Sequence, residues 1–202
     1  MSGTDTADGR TARRERNREL VLDAVLALFT EGHLTPAPTQ VAERSGVSLR
    51  SVFRYYEDTG ALLQAAMGRQ LELVRPLREI TDLGQGPFDD RVERYVAAQL
   101  RLYRAIAPTA RASLVRAATN DAIAERFAAA RRERHDQIEP MFEPELRAMP
   151  PATRRTTLAV LDTMFQFESV EHLHERLDLG ERRTAEALRH TLRTLLGPTA
   201  EV

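Results

Sequence analysis

The chain has 202 residues, 42% of them hydrophobic, enough for one ordinary domain plus a small second unit around a real core, which excludes a wholly disordered chain. A formal charge of -1 excludes a protein coated in positive charge, such as a nonspecific nucleic-acid packager, but leaves room for a local basic face. Cysteine is absent, which removes disulfides, thiolate metal sites and thiol catalysis together.

The opening "MSGTDTADGR" has neither a basic start nor an apolar centre, and no apolar run of membrane-spanning length follows. A cytoplasmic protein without a membrane partner is the expectation. All 29 basic residues are Arg. A GC-rich genome explains that bias, so no single Arg is assigned a bidentate role from its type alone.

In chain order the pattern is helical almost throughout, with Gly and Pro falling between segments and no β-type alternation. An all-α fold is expected. Residues 1–9 form a small polar tail, expected to be disordered. "RTARRERNRELVLDAVLALFTEGH" then places Val21, Ala24, Val25 and Leu28 on one stripe, widened by Leu20 and Phe29, with Gly32 as a stop. Pro36 or Pro38 suits the first turn of a short second helix ending at Gly46. Ser48 can cap a third helix, and Val47 before it can staple onto Val52. Asp58 can cap a fourth carrying Leu62, Leu63, Ala66, Met67 and Leu71.

"DLGQGP", Asp82 to Pro87, is the clearest linker. Beyond it helices are expected over "FDDRVERYVAAQLRLYRAI", "TARASLVRAATN", Asp121 to Met149 with interruptions near Pro140 and Pro144, "PATRRTTLAVLDTMFQFESVEHLHERL" and "ERRTAEALRHTLRTLLG".

Two short helices joined at a glycine outline a helix-turn-helix, whose second helix can lie in a DNA major groove. Such a helix must bury one side, which Val47, Val52 and one ring of Phe53 or Tyr56 could do. Ser48, Leu49, Arg50, Ser51, Arg54 and Tyr55 lie near the other side. Arg can bridge guanine O6 and N7 or grip phosphate, Ser and Tyr hydroxyls can bond phosphate, and Leu49 can touch a thymine methyl.

"VAERSGVSLRSVFRYYED", followed by "ALL", resembles the DNA-binding signature of TetR-family transcriptional regulators. The likeness extends upstream to "LVLDAVLALFTEGH" and covers residues 16 to 67 in the family's order. "FQFESVEHLHERLDLGERRTAEALRHTLRTLLG" is also similar to the family's last two helices. The resemblance implies an N-terminal three-helix DNA-binding domain (10–58) followed by a helical effector-binding and dimerisation domain (59–202). It further implies a homodimer through the last two helices, a double-stranded operator with two half-sites, and release by a small-molecule effector.

Carried over residue by residue, Ser48, Arg50, Ser51 and Tyr55 fall where the family touches bases or phosphates. Phe53 stands where a Tyr hydroxyl commonly reaches phosphate, and Thr59 where a Lys is frequent. Arg54 and the arm residues Arg10, Arg13, Arg14, Arg16 and Arg18 could supply the missing grip, Arg14 and Arg16 being taken as candidate DNA contacts. The effector residues put forward are Tyr95, Tyr103, Phe127, Phe142, Met164 and Phe165, an apolar, mostly aromatic set of a kind that is more often ordinary core packing. Arg101, Arg104 or His135 could meet an acidic ligand if they point inward.

"EHLHE" places Glu171 and His174 at metal-sharing spacing, though a dimer surface accounts for it better. With no nucleophile signature or phosphate loop, no enzyme activity, metal or cofactor is expected. The competing functional reading is an all-helical small-molecule binding or interaction protein that keeps the scaffold without operator affinity.

Overall fold

The computed structural model describes residues 5–117 and 120–197, without the side chains of 5–8, 10, 122, 130, 131 and 134. Among the described residues there is no strand, in agreement with an all-α fold. The helices are α1 (Asp5–Thr30), α2 (Pro38–Ser45), α3 (Leu49–Tyr55), α4 (Thr59–Arg78), α5 (Phe88–Ala117), α6 (Asp121–Met141), α7 (Glu143–Arg147), α8 (Pro151–Met164), α9 (Phe167–Glu171) and α10 (Gly180–Leu196), with a π-helical turn over His172–Arg176 before the last. No helix among the described residues is long and apolar enough to cross a membrane.

The chain divides into two compact units, Met1–Leu73 with Pro108–Ile123, and Val74–Ala107 with Ala124–Val202. In the first, Val21, Ala24, Val25, Leu28 and Phe29 of α1 form one core with Val41, Val47, Val52, Tyr56, Leu62, Leu63, Ala66 and Ala112. The stripe expected on α1 is therefore its buried face, except at Leu20, which lies 50% exposed at the stripe's edge instead of widening it. α4 contributes three side chains to this core, so the packed unit runs across the division expected between Asp58 and Thr59. Arg69 of α4 also grips Asp23 of α1 through two bonds of 2.6 and 3.1 Å.

Helix α1 begins at Asp5, inside the stretch expected to be a disordered tail; Met1 to Thr4 lie outside the described residues. Ala7, Arg10 and Ala12 are good helix formers that carry the pattern back from the apolar stripe downstream, and Gly9 alone costs only about 1 kcal/mol relative to Ala.

In the second unit, Arg91 is 4% exposed and holds Glu145 of α7 through bonds of 2.8 and 2.5 Å. It also donates to the carbonyls of Met141 and Gly86. One guanidinium thus ties the linker, the start of α5, the end of α6 and α7. Gly84 in the same linker has φ 72° and lies so close to the Pro140 carbonyl that a Cβ would stand 2.7 Å from it. Glycine is required there on both counts.

Two breaks fall elsewhere than expected. α5 continues through Pro108, joining segments read as two helices. The lost N–H and the ring's crowding of the preceding turn can be absorbed within a 30-residue helix whose remaining hydrogen bonds persist. Conversely, the stretch 151–177 stops at Met164 and resumes at Phe167, because Gln166 adopts extended backbone (φ -65°, ψ 152°) as the cap of α9. Phe165 and Phe167 are both 3% exposed, so burying two rings two residues apart takes precedence over helix continuity.

Candidate nucleic-acid interface

The corner between α2 and α3 is built by local chemistry. Pro38 opens α2, with the Gln40 side chain accepting from the Ala37 N–H at 2.8 Å. Gly46 ends it in the left-handed region, φ 68°, where a side chain would be strained. Ser48 Oγ accepts from the Ser51 N–H at 3.3 Å, capping α3 as its sequence suggests. Val47 and Val52, 7% and 1% exposed, join the same core and set the angle at which α3 leaves the turn.

Successive residues of a helix turn by about 100°. On α3 this puts Val52 and Tyr56 inward and leaves Leu49, Phe53, Arg50 and Arg54 in one outward arc, all four exposed. Ser51 and Tyr55 are half-buried at its edge. Of the two rings that could have served the core, Tyr56 does so, 6% exposed, its hydroxyl donating to the Arg18 carbonyl at 3.4 Å. Burial pushes that hydroxyl above the ordinary tyrosine range, with Arg18 opposing the shift.

Arg54 folds back over the Tyr55 ring, 5.3 Å from its centroid, and donates to the Tyr55 hydroxyl at 3.3 Å and to Ser51 Oγ at 3.5 Å. Asn17 of α1 donates to the same hydroxyl at 3.4 Å. Asn17 first and Arg54 second lower the Tyr55 pKa below its ordinary value, and Arg14 adds to the effect through its charge. Arg14 lies one turn from Asn17 on the same face of α1, which brings it to the edge of α3. Arg16 points about 100° away from Asn17 and is not drawn in with it. Arg18 pairs instead with Glu15 at 3.5 Å and lies over Tyr56. Arg13 is exposed, and the side chain of Arg10 lies outside the described residues.

The surface is thus cationic at Arg50, Arg54 and Arg14 with no acidic side chain on α3 itself. One of its members, Asn17, was not evident from sequence, and another, Phe53, was singled out there for a phosphate contact it cannot make. Asn17 has no motif to mark it; only the packing of α1 on α3 reveals it. Phe53, noted for the hydroxyl it lacks, is 48% exposed in the middle of the arc, and its spacing of four from Leu49 was the available signal.

The proposed effector residues fare differently. Tyr95 and Phe142 are buried edge to face at 5.5 Å, and Tyr95 meets Phe165 likewise at 5.0 Å. Tyr103 and Phe165 line a small cavity with Gln99, Leu102, Ile106, Phe167 and Val170. Its volume of about 10 Å³ matches a single water, whereas drug-sized ligands occupy roughly 300 Å³ or more. Phe127 and Met164 are half-buried outside that lining, while Arg101, Arg104 and His135 are exposed. "EHLHE" faces its own unit: Glu171 accepts from the Tyr103 hydroxyl at 2.6 Å and His174 lies 5.5 Å from the same ring. Both side chains are half-buried, and the π-helical turn over 172–176 follows Glu171 directly. No group of side chains fit to hold a metal occurs among the described residues.

No family model matches the chain. It is 35% identical over 89 residues to the HTH-type transcriptional repressor LfrR of Mycolicibacterium smegmatis, covering 44% of this chain and 47% of that protein. It is 37% identical over 67 residues to the HTH-type transcriptional repressor KstR of the same organism, covering 33% of this chain and 32% of that protein. The matches span less than half the length of either relative. A TetR-family transcriptional regulator from Streptomyces coelicolor, known from a crystal structure, superposes with a TM-score of 0.63 at 18% identity, over 90% of this chain and 79% of that one. The chain has that regulator's all-α fold, and the curated likenesses agree with the TetR-family resemblance of residues 16–67.

Proposed function

We propose that this chain is a TetR-type transcriptional regulator: a homodimeric, ligand-responsive repressor that binds a palindromic DNA operator and catalyses no reaction. The observation that carries the reading is the outward arc of α3, where Leu49, Arg50, Phe53 and Arg54 are exposed while Val52 and Tyr56 anchor the helix in the core. Arg50 is the base reader, Arg54 and Arg14 meet phosphates, and Ser48, Ser51 and Tyr55 orient the surface and contact the backbone at its edge. Arg16 contributes charge rather than a defined contact.

Pairing through the last long helices is supported by α8. Val160 is 40% exposed there, with Ala152, Thr156, Ala159 and Thr163 exposed around it. The Thr156 and Thr163 hydroxyls donate to carbonyls four residues back, and Thr191 of α10 does the same. Satisfied in this way, those threonines offer methyl groups to a partner helix. Two-fold pairing would set the two α3 helices about one DNA turn (roughly 34 Å) or a multiple apart.

An effector would enter the second unit by parting the rings around Tyr103 and Phe165. The small cavity there marks where the ring packing is incomplete, and a ligand that binds an open state better than the closed one would shift the population toward it.

Gel retardation of the DNA upstream of the chain's own gene, at two salt concentrations, tests the reading. Retardation that weakens steeply as salt rises is expected. Failure to retard any such fragment at low salt would instead support the scaffold-only alternative, which Phe53 and Thr59 favour.

A further inference from the structure

The outward arc of α3 is split by chemistry. On a helical wheel Leu49 and Phe53 occupy one half, about 40° apart, and Arg50 and Arg54 the other, again about 40° apart. The apolar half is not core surplus: Leu49 is 37% exposed and Phe53 48%, while Val52 and Tyr56 already fill the buried side. Exposed Leu and Phe one turn apart on a seven-residue helix form a continuous apolar strip, and water on both sides makes that strip unfavourable unless something covers it.

What covers it is indicated by the other half. Two guanidinium groups border the strip, and no carboxylate stands on the helix to neutralise them. The charge of that half suits a polyanion. The C5-methyl of thymine is the one apolar group that duplex DNA presents in its major groove. Resting on the proposal that α3 binds operator DNA, we infer that Phe53, with Leu49, is a specificity-determining residue whose ring covers a thymine methyl. The absent hydroxyl then marks a different role, since a tyrosine at this place reaches for phosphate while phenylalanine reads a base. Arg50 and Arg54 hold the helix at the depth where the ring can reach.

The test places the chemical change in the DNA, where the protein's folding is not at risk. A duplex selected from a random library by the full chain is remade with deoxyuridine at each thymine in turn, which deletes only the methyl. One thymine in each half-site is expected to lose about fourfold in affinity, the value of one buried methyl. The same substitution should cost Phe53→Ala much less, under about twofold, since the ring that covers the thymine methyl is gone and only Leu49 remains beside it, and Phe53→Leu should retain an intermediate sensitivity.

If no deoxyuridine substitution weakens binding, or if Phe53→Ala keeps the full methyl sensitivity, the inference is overturned while operator binding stands. If the chain selects no duplex at all, operator binding itself fails and the inference falls with it. Circular dichroism of Phe53→Ala, expected to match the parent, confirms that the comparison is between folded proteins.

Discussion

Truncating Val52 tests the geometry on which the interface depends. Its side chain is 1% exposed among Val21, Val25, Val41 and Leu62, and Val52→Ala removes two methylene equivalents from that core. At about 0.8 kcal/mol for each in transfer alone, the loss is about 1.6 kcal/mol, and incomplete collapse around the gap raises it to roughly 2–3. For a chain of 202 residues melting cooperatively, that lowers Tm by roughly 4–12 °C. Phe53, the next residue, is 48% exposed, and Phe53→Ala should cost under about 1 kcal/mol although it deletes a larger side chain. Thermal melts of the two variants followed by far-ultraviolet circular dichroism decide the matter. Equal destabilisation, or a larger loss for Phe53→Ala, would mean that α3 is rotated from the orientation described, and the outward arc would have to be redrawn.

Other perturbations probe separate features. Gly46→Ala forces a side chain into φ 68° and should lower stability by about 1 kcal/mol, measurable in the same melts. Glu145→Ala leaves the Arg91 guanidinium buried without its carboxylate and should cost about 3–5 kcal/mol, seen as a loss of urea midpoint; a shift no larger than that of an exposed pair such as Arg182–Glu186 would refute the buried-pair account. Arg50→Ala should flatten preference among operator variants, whereas Arg14→Ala should weaken all sequences alike and reduce the salt slope of the dimer by about two, one for each protomer. Unchanged preference in Arg50→Ala would remove its base-reading role.

Much of the corner was legible because its signals are local. Gly46, Ser48, Asp58 and the Val47–Val52 staple each act within about five residues, and each appears where the sequence places it, Asp58 accepting from the Ala61 N–H at 2.7 Å. Legibility declines where distant segments decide. Pro108 is a strong local stop, yet α5 runs through it; Phe165 and Phe167 sit in a favourable helical stretch, yet their burial breaks it. The effector residues were chosen by type, and type cannot separate Tyr103, which borders a cavity, from Tyr95, which is locked among Phe142 and Phe165. Asn17 was invisible because an asparagine among arginines acquires meaning only when Tyr55 is brought to it.

The Asn17–Tyr55–Arg54 chain bears on how the surface holds phosphate without a hydroxyl at Phe53. Arg54 is restrained by the Tyr55 ring, the Tyr55 hydroxyl and Ser51, so a phosphate arriving there meets a guanidinium with part of its rotamer freedom already spent. Those contacts also favour the tyrosinate form of Tyr55, whose pKa lies below the ordinary value of 10. Deprotonation would set a negative charge beside the phosphate that Arg54 is to bind. Affinity for DNA should therefore fall as pH rises toward the ordinary tyrosine range, beginning below the point at which a free tyrosine titrates, and Tyr55→Phe should remove that decline while leaving the neutral-pH complex weakened only modestly. Fluorescence anisotropy with a labelled operator across the alkaline range measures both. A decline of the same size and midpoint in Tyr55→Phe would assign the titration to another group and leave Arg54 as an ordinary surface cation.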